Sequence, residues 1–218
     1  MHAKEYDSWY ETTRGQWIGQ REYALVCDAL RVRAGRSLLD VGCGTGWFTR
    51  KFSGEQKMQV TGVDIDQARL DFGRSKDPLS LYLRGDALCL PFPDNAFDCV
   101  VSMTALPFVA DWPRALGELV RVSGDRFVLG LLNRNSLLWR QKGQGDGTGA
   151  YRGAHWHSAG EIASVLAALP VSNVSMRSCV FVPSGGVLAR VVETLIPRWM
   201  LCGAFLVVSG QKIAAASP

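Results

Sequence analysis

The stretch Leu38–Thr49 reads LLDVGCGTGWFT. A short, continuous apolar run with one aspartate ends at Gly42-Cys43-Gly44-Thr45-Gly46, and GWFTRKFS opens a helix directly afterwards. This is the pattern of a buried strand feeding a helix through a glycine loop. Each glycine loses more conformational freedom on folding than any other residue. Three of them in one five-residue loop therefore need a reason, and a backbone that must come close to a partner is one.

The segments on either side repeat the alternation. MQVTGVDI (Met58–Ile65) reads as a second strand, and DQARLDFGRS as a helix with Asp66 as its N-cap. LSLYLRGD (Leu79–Asp86) reads as a third strand and FDCVVSM (Phe97–Met103) as a fourth, with Pro91 and Pro93 interrupting regular structure between them. DWPRALGELVRV places Asp111 as N-cap and Pro113 in the first turn of a helix, and RFVLGLLN (Arg126–Asn133) is a fifth strand. Upstream, Gln16–Leu30 sets Trp17, Tyr23, Val26 and Leu30 at helical spacing. The expectation is an α/β, Rossmann-like doubly wound sheet, mostly parallel with an antiparallel last strand, and helices on both faces. In such sheets ligands bind beyond the C-terminal strand ends, where strand order reverses.

Beyond Asn133 the pattern breaks. RQKGQGDGTGAYRGAHWH reads as a long mobile loop, and SAGEIASVLAAL as a helix with a Ser158/Glu161 capping box. VSNVSMRSCVFVP and GAFLVVSGQK read as two last strands with a helix around Val187–Leu195. The segment PSGGVLARVVETLIPRWML is left as acceptor pocket, oligomer surface or peripheral membrane contact. The whole, 1–218, is expected to be one domain: a helical cap (1–33), a cofactor-binding core (34–132) and a substrate-side loop with the C-terminal strands (133–218).

Composition agrees with a globular chain. Of 218 residues 47% are hydrophobic and 20% charged. The net charge is +4, without a run of five or six like charges, so no nucleic-acid partner is expected. Six cysteines, none in a CxxC pair, follow an N-terminus without leader character and point to reduced thiols in a cytoplasmic protein. The most apolar stretch, Leu195–Val208, contains Pro197 and Arg198 and falls short of the roughly 18 apolar residues of a membrane span. Oligomeric state is open.

Three nucleotide loops compete for the glycines. A phosphate-binding P-loop needs Lys-Ser/Thr after them, where Trp47-Phe48 stands. The dinucleotide fingerprint is G-x-G-x-x-G, one residue longer than the spacing here. LLDVGCGTG resembles the first motif of class I S-adenosylmethionine-dependent methyltransferases, of the small-molecule type seen in ubiquinone and menaquinone biosynthesis. VTGVDID and LRGDALCLPFPDNAFDCVVSMTALPFVADWPRALGELVRV resemble the blocks that follow it in that family. The resemblance implies S-adenosylmethionine as cofactor, held by Asp40, Gly42, Cys43, Gly44 and Gly46. It implies Asp64, with Ile65 beside it, on the ribose, Asp86 and Ala87 at the adenine, and Ser102 and Met103 near the reacting end. Where the family has Lys-Pro-Gly-Gly before its fifth strand, Gly124-Asp125 is read as the turn.

The implied reaction is in-line transfer of a methyl group to a small or medium-sized, partly apolar acceptor. Tyr6, Trp9 and Trp156 are candidates for shaping its pocket. His155 and His157 are candidate bases, and no metal is expected because no third ligand stands at ligand spacing. The [ND]-P-P-[YF] sequence of adenine and amide-nitrogen methyltransferases is replaced by SMTALPFV. A non-catalytic cofactor-binding or regulatory protein and an NAD-dependent oxidoreductase are the alternatives.

Overall fold

The computed structural model describes residues 2–213; Met1 and 214–218, at the two ends of the expected domain, lie outside them. α1 (Ala3–Trp9) and α2 (Thr13–Leu30) precede β1 (Ser37–Val41), α3 (Trp47–Gly54), β2 (Gln59–Asp64), α4 (Gln67–Lys76), β3 (Leu81–Arg84) and β4 (Phe97–Met103). α5 (Trp112–Val122), β5 (Ser123–Leu132), α6 (Leu137–Lys142), α7 (Ala159–Leu166), β6 (Val171–Cys179), α8 (Val187–Leu195) and β7 (Phe205–Lys212) complete the chain. The seven strands form one sheet in the order β3-β2-β1-β4-β5-β7-β6. β1 to β5 pair in parallel, and β7 lies antiparallel between β5 and β6. The mostly parallel, doubly wound sheet expected from the alternation is therefore present.

Strand order reverses between β1 and β4, because β2 and β3 extend the sheet to one side of β1 and β4 opens the other. The central strands are buried on both faces, as parallel sheets require. Leu38, Cys99, Val101 and Val128 face one core with α2, α3 and Ala189 of α8. Leu39, Val41, Val100, Phe127, Leu129 and Leu131 face the other, with α5 and α7. Trp17, Tyr23, Val26 and Leu30 are all buried, which explains why α2 lies along the sheet.

Two local expectations change. Gly124-Asp125 does not form a turn: β5 starts at Ser123, and its register on β4 shifts between Phe97 and Cys99. The extra residue is absorbed as a bulge, so the strand continues. The long loop after Asn133 begins with α6, because Ser136 caps it by accepting from the Trp139 amide at 3.1 Å. The loop's later part is closed by its own amides: Thr148 donates to Lys142, Gly153 to Asp146 and His155 to Pro107. α8 falls where the helix was placed, and it turns Val187, Leu188, Val191 and Leu195 outward.

The far end of the sheet is pinned by one side chain. Asn133, 1% exposed, donates to the carbonyls of Leu201 and Gly203 and accepts from the Asn135 amide. Replacing it leaves buried carbonyls unpaired at the β5–β7 junction. Asn133→Ala is expected to cost about 2–3 kcal/mol, measured by urea unfolding against the parent protein.

Candidate active site

The glycine loop sits at the end of β1, next to the point of reversed strand order. The amides of Gly42 and Cys43 both donate to the Val63 carbonyl, at 2.7 and 3.0 Å. The loop is thus tied to the end of β2, and Gly42 needs φ +73° to make the bend. A Cβ at Gly42 would stand 2.1 Å from that of Ala105, on the loop after β4. The two loops that border the crevice touch there, and only glycine permits it. At Gly44 a Cβ would meet nothing within 4 Å, so the backbone is open on that side.

Two carboxylates flank the loop. Asp64, last residue of β2, accepts from the Gly44 amide with Oδ2 at 2.8 Å and from the Asp66 amide with Oδ1 at 2.9 Å. Each oxygen keeps lone-pair capacity for a further donor. Asp40 is 1% exposed; its Oδ2 accepts from Thr49 at 2.7 Å, while Oδ1 has no partner. Burial pushes its carboxyl up to about 7, against the Thr49 hydrogen bond and with help from the Asp64 charge. Asp66 caps α4 through the Ala68 and Arg69 amides, as its position at a helix start predicts.

The other predicted residues occupy the same edge in unequal ways. Ile65 is 63% exposed beside Asp64. Asp86 accepts from the Leu88 amide at 2.9 Å, an Asx turn that presents Ala87 and Leu88. Ser102 is buried with an unpartnered hydroxyl, and Met103 packs against the position of Gly130. Cys43 Sγ fills the space over Gly62. Burial pushes its thiol well up, with Asp40 and Asp64 adding to it.

α1 lies across the loop. Asp7 accepts from the Thr45 hydroxyl at 2.9 Å and from Arg50 at 2.7 Å. Tyr10 stacks on Trp47, ring centroids 4.3 Å apart, and Tyr6 lies under the Arg69 guanidinium. Trp9 is half-buried against the same core. Trp156, by contrast, is 4% exposed in that core, with Tyr151 beside it.

Three features were not foreseen from the sequence. Thr104, just past β4, has φ +53°, costly for a β-branched residue, and its amide donates to Gly130. Strain of that kind collects at functional edges. Glu22 stands on the buried face of α2, one turn from Ile18 and from Leu25 and Val26. Its charge acts on Tyr6, Tyr10, Tyr151 and Cys179, and burial pushes its own carboxyl up to about 8. The signal was in the sequence: a lone acid interrupts an apolar helical stripe. Third, Glu161 reaches the two histidines, supplying the third ligand-type side chain that the spacing did not reveal.

Residues 39–125 match the family described as a methyltransferase domain. A demethylmenaquinone methyltransferase from Symbiobacterium thermophilum is 38% identical over 139 residues, 58% of this chain and 54% of that protein. A malonyl-[acyl-carrier protein] O-methyltransferase from Serratia marcescens is 40% identical over 89 residues, 41% of this chain and 34% of that protein. The chain spans about half the length, or less, of these curated relatives. In three dimensions it is similar to a SAM-dependent methyltransferase from Thermotoga maritima, described as a possible histamine N-methyltransferase. The TM-score is 0.74 at 23% identity over 96% of each chain, a likeness of fold. No helix among the described residues is long and apolar enough to cross a membrane.

Glu22 bears directly on stability. Its carboxyl is raised from the ordinary 4.5 to about 8. The folded state therefore holds a proton that the unfolded chain releases, and stability falls as pH rises between those values. Glu22→Gln removes the penalty. Its melting temperature is expected to gain on the parent's from pH 5 to pH 8 and to keep a constant lead above that; a pH-independent difference would contradict the assignment.

Proposed function

We propose that this chain transfers the methyl group of S-adenosylmethionine to a small or medium-sized, partly apolar acceptor. The observation that carries the reading is the cradle at the β1–β4 reversal: tethered loop amides, open backbone at Gly44, and two carboxylates, one with a buried oxygen lacking any partner. The match of residues 39–125 to the methyltransferase domain family supports it. We read the chain as one domain, divided as the sequence implies into cap (1–33), core (34–132) and substrate side (133–218). Its unpaired cysteines fit a reducing, cytoplasmic setting.

The residues present fit this cofactor. Gly46 precedes α3 as an N-cap that offers no side-chain hydrogen bond, so the helix's first amides are free to face a carboxylate. Asp40 Oδ1 can accept from an ammonium, directly or through water. Asp64 can accept from a ribose diol while its amide partners hold it still. Ile65, Ala87 and the Asp86 turn would border the adenine, and Gly42, Cys43, Ser102 and Met103 the methionine portion. When bound, the cofactor supplies an electrophilic methyl carbon with a good leaving group already attached.

The chain's own contribution is alignment and exclusion of water, which together can recover about 7–11 kcal/mol of a bimolecular barrier in favourable cases. α1 covers the loop through Asp7, and Tyr6, Trp9 and Tyr10 form an aromatic wall beside Thr104. We assign proton acceptance from the acceptor to Glu22, whose charge acts on Tyr6 and Tyr10 of this wall; a carboxyl pushed by burial to about 8 is matched to such work near neutrality. His157 suits that task less. Its ring is fully buried beneath Trp112, and burial, followed by the neighbouring His155, pushes it down to about 4.

Calorimetry is expected to show saturable binding of S-adenosylmethionine and none of NAD. Asp64→Asn should weaken it by about ten- to a hundredfold, the loss of charged hydrogen bonds. Equal affinity in the variant would remove Asp64 from the site, and a preference for NAD would replace the methyl-transfer reading by hydride transfer. With an acceptor found by screening metabolites for methyl transfer, kcat/KM should rise through pH 8 in the parent and stay flat in Glu22→Gln, cofactor affinity being unchanged. An identical pH profile would exclude Glu22 as proton acceptor, while binding without turnover on any acceptor would favour a regulatory role.

A further inference from the structure

His155, His157 and Glu161 form a compact cluster outside the cofactor cradle. The chain from His155 to His157 is extended and continues the sheet: the His157 amide donates to Leu132, and the Arg134 amide donates to the His157 carbonyl. Residues two apart on such a segment face the same side, so both imidazoles point one way while Trp156 points into the opposite core. Their ring centroids are 4.6 Å apart. α7 begins at once, and its capping box fixes Glu161 three residues past Ser158. Glu161 Oε1 is thereby brought to 2.7 Å from His155 Nε2. One nitrogen from each ring and one carboxylate oxygen all lie within 4.8 Å of one another.

Hydrogen bonding leaves this cluster incomplete. His157 is 0% exposed, yet neither ring nitrogen has a hydrogen-bond partner. A buried imidazole without partners is expensive. The Trp112 ring lies edge-to-face against it at 4.8 Å and stacks near His155 at 6.0 Å, which closes one side to water. His155 and Glu161 remain partly exposed on the other side and leave a way in.

We propose that His155, His157 and Glu161 bind one divalent transition-metal ion of borderline softness, of the zinc class. Two imidazoles and one carboxylate suit such an ion, whereas magnesium and calcium prefer all-oxygen sets. Metal bonds of about 2.0–2.2 Å need the donors closer together than they stand now, and partly exposed His155 and Glu161 are free to make that adjustment. Three protein ligands leave positions for water or another oxygen donor on the open side. The ion would supply the missing partner of His157 and clasp the end of β5, the start of α7 and, through the His155 amide on Pro107, the loop after β4. This proposal is independent of the methyl-transfer reading.

The test uses the full chain freed of metal by chelator dialysis and titrated with cobalt chloride, zinc chloride or magnesium chloride. One equivalent of cobalt is expected to bind with ligand-field bands of a nitrogen–oxygen site and no thiolate charge-transfer band. Zinc should compete for it and raise the melting temperature, and magnesium should do neither. His155→Ala and Glu161→Gln should each weaken cobalt binding at least tenfold; glutamine preserves the capping box, so loss of binding there is not loss of the helix. Absence of saturable binding, a thiolate band showing that cysteines hold the ion, or undiminished affinity in both variants would overturn the proposal.

Discussion

Two amides share one carbonyl at the centre of this molecule. Gly42 and Cys43 both donate to Val63, and that is possible only because β1 and β2 pair with Val41 opposite Val63. The register sets Gly42 and Asp64 side by side, one residue past the last pair. From there the Asp64 carboxylate reaches the Gly44 amide. A slip of one residue would turn the side chains of β2 to the wrong face and withdraw the acid from the loop. Loop shape and acid position are therefore one constraint, enforced by the buried strands beneath them.

The electrostatics of the cradle follow from that geometry. Burial raises the Asp40 carboxyl, and Asp64 stands close enough to raise it further. Opposite them lies the uncapped start of α3, with positive partial charge. An occupant carrying only negative charge would face two acids, and one carrying only positive charge would leave the helix start unanswered. A ligand with an ammonium, a carboxylate and a diol meets each of these groups with its complement. In the proposed function, charge alone therefore favours S-adenosylmethionine over a pyrophosphate-bearing dinucleotide, apart from glycine spacing.

Much of this was legible in the sequence because local chemistry decided it. The apolar runs, the N-caps Asp66, Asp111 and Ser158, and the glycine loop each act within a few residues, and the elements they predict are present. What escaped depends on distance along the chain. Gly124-Asp125 looks like a turn until Phe97 pairs with Ser123 and forces a bulge. The partnership of Asp7 with Thr45 and Arg50 spans some forty residues and has no local signature. Thr104 adopts a backbone that no propensity would assign to threonine, because the Gly130 carbonyl holds its amide. Glu22 was visible as an acid on an apolar stripe, but its electrostatic reach to Tyr6, Tyr10 and Tyr151 depends on α1 and the loop before α7 and had no local signature.

The cap and the loop are consequently not separable parts. Thr45 lies within the glycine loop, and its hydroxyl donates to Asp7 of α1, which Arg50 of α3 also engages. Tyr10 on Trp47 adds an aromatic stack to the same joint. A shift of the loop acts on all three contacts at once, and α1 also carries Tyr6, which neighbours Thr104. The glycine loop and the aromatic side chains of α1 are thus joined through one buried carboxylate. α1 has Asp7 as its one buried side chain, and a charged hydrogen-bond pair therefore holds this small helix in addition to packing.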